Sequence, residues 1–398
     1  MALVESKFRT LYGTLFAVFV LFGITMTIIR ATLPKILVDF SWSYAIAGLV
    51  MAAGAVGYFL ATFAAGFMVS AIGPRLTMVV GLSLVIAGLI FFASVPSPLV
   101  NLLLNFGIGV GQGCIELTVN WSTLRMEKSG SGRAMNLMHG AFAAGAFAGP
   151  FVIGILIGAD LSWTLIYRAM AVLFIVILAI MLGMPFSALG RDAGHTATGS
   201  RKALYRHPAY WLGFVALLVY VGVELGVSNW IAEYFVTNFK TSAAFGSFMV
   251  SLFWGGLLLG RFGIPLLYHG KRSDLVLLLM SVLMSVSVIS LSAIGFLGSG
   301  ETARTISAFF AVLAGLGCSI VYPMIVTMIG SIFPHAQSEA VAFSATGGGI
   351  GAFVFPFLMA NIAAAWGIRA GFATYAVFSV AVVALSVILI RISKRSAG

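Results

Sequence analysis

Five ionisable residues interrupt the long apolar stretches of this 398-residue chain: Arg30, Glu116, His139, Arg168 and Glu224. Charged residues make up only 8% of the sequence, so these exceptions are the first candidates for chemistry. If the apolar stretches cross a membrane, each buried charge carries a free-energy cost, and such residues commonly line solute or ion pathways. We therefore treat these side chains as candidates for a functional site, except that Arg168, near the outer end of its stretch, is expected to reach the membrane surface or to pair with Asp160.

Glu116 and Asn120 form one candidate pair, because residues four positions apart lie on the same face of a helix. A carboxyl group at the middle of an apolar helix can exchange its proton as water reaches it from alternate sides. Glu116 is therefore predicted to couple solute movement to protons. Asn120 could bind solute hydroxyls or hold Glu116 in place. A permanent ion pair between Glu116 and Arg30 is the structural alternative.

Glu224, Asn229 and Trp230 form a second candidate group within one apolar stretch. Aromatic faces pack on the CH faces of sugars, while amide and carboxylate groups bind sugar hydroxyls. These three residues are therefore predicted to bind a sugar-like solute. Trp230 could instead belong to the aromatic belt at the membrane surface.

Arg30 and His139 each allow two interpretations. The guanidinium of Arg30 could hold a solute carboxylate or phosphate through two parallel hydrogen bonds. It could equally be the permanent partner of Glu116 or Glu224. His139 lies near one end of its apolar stretch, where it could relay protons or could simply bond a neighbouring helix.

The elements that must position these residues are membrane-spanning helices. The chain is 61% hydrophobic and has a mean hydropathy of +1.10, whereas soluble proteins carry about a quarter charged residues. A spanning helix needs about 20 mostly apolar residues, so this length accommodates about twelve. The apolar windows predict helices near 10–37, 43–70, 74–94, 99–125, 133–158, 163–184, 209–236, 243–268, 273–297, 303–331, 337–363 and 368–391.

The distribution of basic residues predicts the orientation. Most of the 22 lysines and arginines fall on the side that carries both ends of the chain, which the positive-inside rule places in the cytoplasm. The longest connection, 185–208, holds Arg191, Arg201 and Lys202 and is predicted to be a cytoplasmic linker near anionic lipid. It divides the chain into an N-terminal half, 1–184, and a C-terminal half, 209–398.

An internal repeat supports the division into halves. The fourth helix matches the tenth at a shift of 204 residues, and the fifth matches the eleventh at a shift of 206. The paired positions are Gly113 and Cys114 with Gly317 and Cys318, and Gly145 and Pro150 with Gly351 and Pro356.

Two six-helix halves in parallel repeat, with cytoplasmic termini and a central loop, resemble the major facilitator superfamily of secondary transporters. The resemblance covers nearly the whole chain. It implies a solute site between the halves near the bilayer midplane, with alternating access by rocking of the halves. The family's loop signature after the second span is reduced here to Gly66, Gly73, Pro74 and Arg75, with Ser70 where an Asp belongs.

Within this superfamily, three helices resemble the fucose/galactose/hexose:proton symporter branch. The shared features are a fourth-helix Glu followed four residues later by Asn, and the Arg-x-x-Asn-Leu-x-His pattern at 133–139. The run between Tyr220 and Tyr234 also resembles that branch. The resemblance implies sugar–proton symport through Glu116. One departure is that Arg30 stands where the branch has an acidic residue.

Other function classes have less support. The chain shows no nucleotide-binding motif, metal-ligand spacing or nucleophile elbow, so we expect no enzyme activity, no cofactor and no metal site. Topology explains the net charge of +11 without a nucleic-acid partner. We predict an all-α, twelve-helix secondary transporter in the inner membrane, working as a monomer on a small solute and protons. An organic-anion transporter using Arg30, an amphiphile exporter and, more remotely, a channel are the alternatives.

Overall fold

The computed structural model describes residues 4–127, 133–189, 206–267, 273–334 and 336–396. These residues form helices, apart from turns and one isolated bridge between Val4 and Glu127. Twelve helical segments among them are long and apolar enough to cross a membrane. The predicted all-α membrane fold with twelve spans is therefore confirmed.

The helices follow the predicted windows to within a few residues, with one exception in the tenth span. The first six are α1 (Arg9–Phe40), α2 (Tyr44–Ile72), α3 (Pro74–Phe91), α4 (Pro98–Met126), α5 (Arg133–Gly158) and α6 (Trp163–Leu182). The remainder are α7 (Pro208–Phe239), α8 (Ala243–Leu267), α9 (Ser273–Leu297), α10 (Glu301–Cys318), α11 (Val321–Ile332), α12 (Gln337–Trp366) and α13 (Ile368–Ser396).

Large apolar side chains cover the outside of these helices. Leu99, Leu259 and Val377 are 66%, 67% and 69% exposed, respectively. Exposed aliphatic surface of this kind is unfavourable in water and favourable in hydrocarbon. The surface therefore agrees with the composition in pointing to lipid as the surrounding solvent.

The tenth span is divided into α10 and α11 by a break at Ser319 and Ile320. Pro323 follows the break by one turn. Because proline has no backbone N–H, it cannot donate to the carbonyl four residues earlier, which is that of Ser319. The sequence predicted one continuous helix here, so this prediction was wrong at the break.

The chain forms two compact units. The first consists of Met1–Thr32 and Leu49–Thr196, and the second of Leu33–Gly48 and Ala197–Gly398. The end of α1 and the start of α2 therefore belong to the same unit as α7 to α13. The predicted division into halves at 185–208 stays a prediction. Residues 190–205 of that linker, with Arg191, Arg201 and Lys202, lie outside the described residues.

Glycines bring backbones together at matching positions in the two units. In the first unit, a Cβ at Gly109 of α4 would overlap the backbone carbonyl oxygen of Gly54 in α2. In the second unit, a Cβ at Gly315 of α10 would overlap the backbone carbonyl oxygen of Phe253 in α8. Gly109 and Gly315 are thus structural equivalents.

The glycine contacts also set the register of the repeat. Gly111 of α4 packs on Gly81 of α3, and Gly317 of α10 packs on Met284 of α9. Gly109 and Gly315 are 206 residues apart in the sequence, and so are Gly111 and Gly317. The same shift of 206 residues relates α5 to α12. The predicted shift of 204 for the fourth and tenth spans was therefore wrong by two residues, because alternating glycines allow more than one alignment.

The close approach of α2 and α4 can be tested with a matched pair of variants. Gly109→Ala should lower the free energy of unfolding by about 1–3 kcal/mol, because the added methyl group forces the backbones apart. Gly107→Ala is the control, since a Cβ at Gly107 meets nothing within 4 Å. It should be neutral or stabilising by up to about 1 kcal/mol. Thermal unfolding in detergent measures both, and equal melting temperatures would contradict the packing.

Candidate functional site

Glu116 projects from α4 and accepts a hydrogen bond from the hydroxyl of Tyr58 in α2. Glycine packing makes this contact possible, because a Cβ at Gly113 would lie 2.7 Å from the carbonyl oxygen of Tyr58. Among the described residues, Glu116 forms no ion pair. The carboxyl group of Glu116 is therefore held by Tyr58 and not by the predicted ion pair with Arg30.

Asn120 lies one turn beyond Glu116 on α4. Its side-chain oxygen Oδ1 is buried and has no hydrogen-bond partner among the residues that the structure describes. A buried amide oxygen without a partner costs about 1–3 kcal/mol. Asn120 therefore does not act as a clamp on Glu116, and its amide is free to bind another polar group.

Arg30 and His139 occupy different surroundings in the first unit. Arg30 is only 6% exposed on α1, as either of its predicted roles requires. His139 packs its ring edge-on against Phe19 of α1, with ring centroids 5.8 Å apart. Phe22 and Phe142 complete this aromatic cluster. The cluster favours a structural role for His139, and the proton-relay role stays a prediction.

Trp230 is fully buried within the second unit, with 0% of its surface exposed. A place in the aromatic belt at the membrane surface is therefore excluded. Its ring meets the edge of Tyr44 at a centroid distance of 5.8 Å and an angle of 85°. The indole nitrogen Nε1 is buried and donates to no acceptor in the described part of the chain.

Asn229 precedes Trp230 on α7 and is 8% exposed. Its side chain makes no hydrogen bond to any other described residue. A buried amide normally has partners in the folded protein. Asn229 and Trp230 thus offer polar groups that no other described residue satisfies.

Glu224 lies in a different environment, beside the break in the tenth span. The Tyr220 hydroxyl donates to the carbonyl oxygen of Cys318 at 2.6 Å, and Arg261 Nε donates to that of Ser319 at 3.2 Å. Glu224 and Arg261 both act electrostatically on Tyr220 and on Cys318. The structure therefore groups Glu224 with Arg261 and the interrupted backbone.

Glu233 is a buried carboxyl group that lies near the end of the predicted helix 209–236 and was not assigned to the site from the sequence. It is 5% exposed and lies six residues before the observed end of α7 at Phe239. Its Oε1 accepts hydrogen bonds from Tyr44 at 2.9 Å and from Thr237 at 2.5 Å. The spacing of four between Glu233 and Thr237 was the signal that could have identified this cluster.

Metal binding has no support in the part of the chain that the structure describes. No group of three or more His, Cys, Asp or Glu side chains lies close enough together to hold a metal ion there.

Sequence comparison places the chain in a known family. The family model of the Major Facilitator Superfamily matches residues 15–303. "Bypass of stop codon protein 6" from Saccharomyces cerevisiae is 24% identical over 401 residues, which covers 88% of this chain and 76% of that protein. For other curated relatives, the TsgA proteins of several bacteria, the chain spans about half of their length.

Solved structures share the fold. A structure of the nucleoside transporter NupG has a TM-score of 0.80 at 13% identity, covering 95% of this chain and 99% of that one. The fucose:proton symporter FucP of E. coli has a TM-score of 0.61 at 20% identity, covering 96% and 99%. The family match spans well over half of the chain and agrees with the twelve helices. The protein therefore belongs to the Major Facilitator Superfamily and is a multi-pass secondary transporter of the membrane.

Proposed function

We propose that this transporter moves a small neutral polar solute, of the monosaccharide class, together with protons carried by Glu116. One observation supports this proposal most strongly. Glu116 sits within an apolar span and its hydrogen-bond partner is the neutral hydroxyl of Tyr58.

A neutral partner suits a group that must change its charge. A fixed cation would favour the ionised carboxylate at all times. A tyrosine hydroxyl can donate to a carboxylate and can also accept from a protonated acid. Glu116 can therefore bind and release a proton without losing its contact to α2.

The solute class is inferred from polar groups that lack protein partners. Asn120 Oδ1 and Trp230 Nε1 are buried without partners among the described residues, and the amide of Asn229 is likewise unbonded. These groups are uncharged donors and acceptors, which match hydroxyl groups better than they match carboxylates. The printed names of the similar structures, a fucose:proton symporter and a nucleoside transporter, agree with such a solute.

An organic anion is the second candidate solute class. It is favoured by the buried guanidinium of Arg30, which is 6% exposed. An anionic solute would receive two parallel hydrogen bonds from this group. Titration with sugars and with sugar acids distinguishes the two classes.

We also propose that both ends of the chain face the cytoplasm in the inner membrane and that the transporter works as a monomer. Lys7 and Arg9 precede or begin α1, and Lys394 lies near the end of α13. Lys394 pairs with Asp274 at the start of α9 at 2.8 Å, so this basic end lies beside another helix end. The concentration of basic residues supports the assignment.

The coupling role of Glu116 can be tested by Glu116→Gln. The amide resembles the protonated acid but cannot release a proton, so a proton gradient should no longer drive accumulation. Exchange of solute between the two sides should continue, because the solute contacts remain. Uptake and counterflow in proteoliposomes measure the two activities.

Glu301→Gln is the matched control for that experiment. Glu301 is 86% exposed and pairs with Arg304 at 3.4 Å, so its replacement should leave both activities unchanged. A Glu116→Gln protein that still concentrates solute against its gradient would contradict the coupling assignment.

The binding role of Asn229 predicts a separation of stability from affinity. Asn229→Leu removes no hydrogen bond to another described residue, so the free energy of unfolding should change by less than about 1 kcal/mol. Monosaccharide binding should weaken by about five- to twelvefold, since one lost hydrogen bond is worth about 1–1.5 kcal/mol. Thermal unfolding and calorimetric titration measure the two effects.

Asn101→Leu is the contrasting variant. Asn101 accepts from the backbone N–H of Ala93 at 2.8 Å and donates to the carbonyls of Val95 and Ser97 at 2.8 and 2.9 Å. Its loss should lower the free energy of unfolding by about 1–3 kcal/mol for each group left unpaired.

The titrations include monosaccharides, sugar acids and amphiphilic dyes. Tight binding of dyes alone, unaffected by Asn229→Leu, would contradict the sugar proposal.

A further inference from the structure

The cluster around Glu233 joins the segment Leu33–Gly48 to α7. Tyr44 of this segment donates to Glu233 Oε1 at 2.9 Å, and Thr237 donates to the same oxygen at 2.5 Å. The two hydroxyl oxygens are 3.5 Å apart. All three side chains belong to the second compact unit.

Glu233 has no counter-charge among the described residues. The groups that act on its carboxyl are the two hydroxyls of Tyr44 and Thr237, and Oε2 receives no hydrogen bond from another described residue. The charged residues of the docked segment itself, Lys35 and Asp39, are exposed. A carboxylate with one solvated face would tolerate this arrangement, but Glu233 is only 5% exposed.

The helices packed against α7 place their charged groups elsewhere. Arg369, at the start of α13, donates to Asn238 Oδ1 and acts on Tyr234. Arg304 of α10 pairs with Glu301 of the same helix. The stretch 243–260 of α8 has no titratable side chain, and α12 approaches the docked segment through Ala360.

Burial of an ionised carboxylate without a counter-charge or a full set of donors is costly. The observed arrangement therefore fits the neutral acid. Oε1 accepts from both hydroxyls, so Oε2 is the oxygen available to carry the proton of the neutral acid. Loss of this proton would leave a buried negative charge that only water could stabilise.

Two further contacts dock the segment beside Glu233. Tyr44 lies edge-on to Trp230, and a Cβ at Gly48 would overlap the Cβ of Ala360 in α12. Tyr44 therefore covers Oε1 of Glu233 on this side. The docked segment also covers Trp230, which precedes Glu233 on α7 by about one turn.

We propose that Glu233 is a second proton-binding site, and that its protonation holds the Leu33–Gly48 segment on α7 beside Asn229 and Trp230. By linkage, a proton that binds more tightly in the docked arrangement stabilises that arrangement by the same free energy. Docking is therefore favoured at low pH and is lost as the pH rises and Glu233 ionises. This inference rests on the proposed function, because it makes proton binding control access to the solute groups.

Cysteine accessibility on the segment tests this proposal. Ala47, next to the glycine that packs on α12, is 1% exposed, whereas Ser43 just before α2 is exposed. Ala47→Cys reports undocking through its rate of maleimide labelling, and Ser43→Cys corrects for the intrinsic pH dependence of the thiol reaction. Labelling of the protein without an added cysteine is subtracted, because Cys114 and Cys318 are both buried and free.

The corrected labelling rate at position 47 should rise several-fold between about pH 5.5 and about pH 8.5 in otherwise unchanged protein. In the Glu233→Gln background it should stay low throughout, because the amide is always neutral. In the Tyr44→Phe background it should be higher at every pH, because the hydroxyl donor is lost. This second variant keeps the test decisive if Glu233→Gln does not fold.

The proposal would be overturned if the labelling rate at position 47 rose equally with pH in proteins with and without the Glu233→Gln substitution. It would also be overturned if the rate rose in neither protein. Labelling requires neither solute nor transport. It can therefore fail while the Glu116 assignment stands. If the Glu116→Gln protein still concentrates solute while the labelling response at position 47 is as expected, only the proposed function is contradicted.

Discussion

An ionised side chain without a counter-charge is expensive inside a bundle of apolar helices, and this constraint governs where the chain can place its chemistry. Charged residues form only 8% of the sequence, and the structure shows partners for several of those within spans. Arg261 donates a hydrogen bond to the carbonyl oxygen of Ser319, which the helix break leaves unpaired. Glu116 and Glu233, in contrast, accept hydrogen bonds from neutral hydroxyl groups. The functional interpretation depends on this difference between charged and neutral partners.

Backbone packing provides the rigid frame in which these partners meet. The contact of Gly113 with the backbone of Tyr58 places the α2 hydroxyl within reach of Glu116. Between lipid-surrounded helices, association depends on close packing and hydrogen bonding more than on the hydrophobic effect. A larger residue at such a glycine would therefore change both the helix spacing and the geometry of the carboxyl group.

Much of the fold could be predicted from the sequence, because hydropathy over about 20 residues is dominated by composition. The break in the tenth span could not be predicted from its proline, because Pro150 and Pro356 also lie in apolar stretches and yet remain within continuous helices. The repeat register was missed because alternating glycines align at more than one shift. Only contacts between helices, such as Gly315 on Phe253, distinguish these alignments.

The candidate site was predicted in part, for a related reason. Burial and helical spacing identified Glu116 and Asn120, since these depend on position along one helix. The partner of Glu116 depends on the distance between α2 and α4, which no local pattern contains. Glu233 was not assigned to the site because its helix was predicted to end at residue 236, which placed it near a helix end, whereas the helix continues to Phe239.

The three acidic residues of α4 and α7 now separate into two kinds. Glu224 and the guanidinium of Arg261 both act electrostatically on Tyr220, beside the interrupted tenth span. Glu116 accepts a hydrogen bond from the hydroxyl of Tyr58, and Glu233 accepts one from the hydroxyl of Tyr44; both tyrosines belong to α2. A tyrosine can remain bonded to either protonation state. Under the proposals made above, the residues that exchange protons are therefore the two that α2 contacts, whereas Glu224 lies beside the interrupted tenth span.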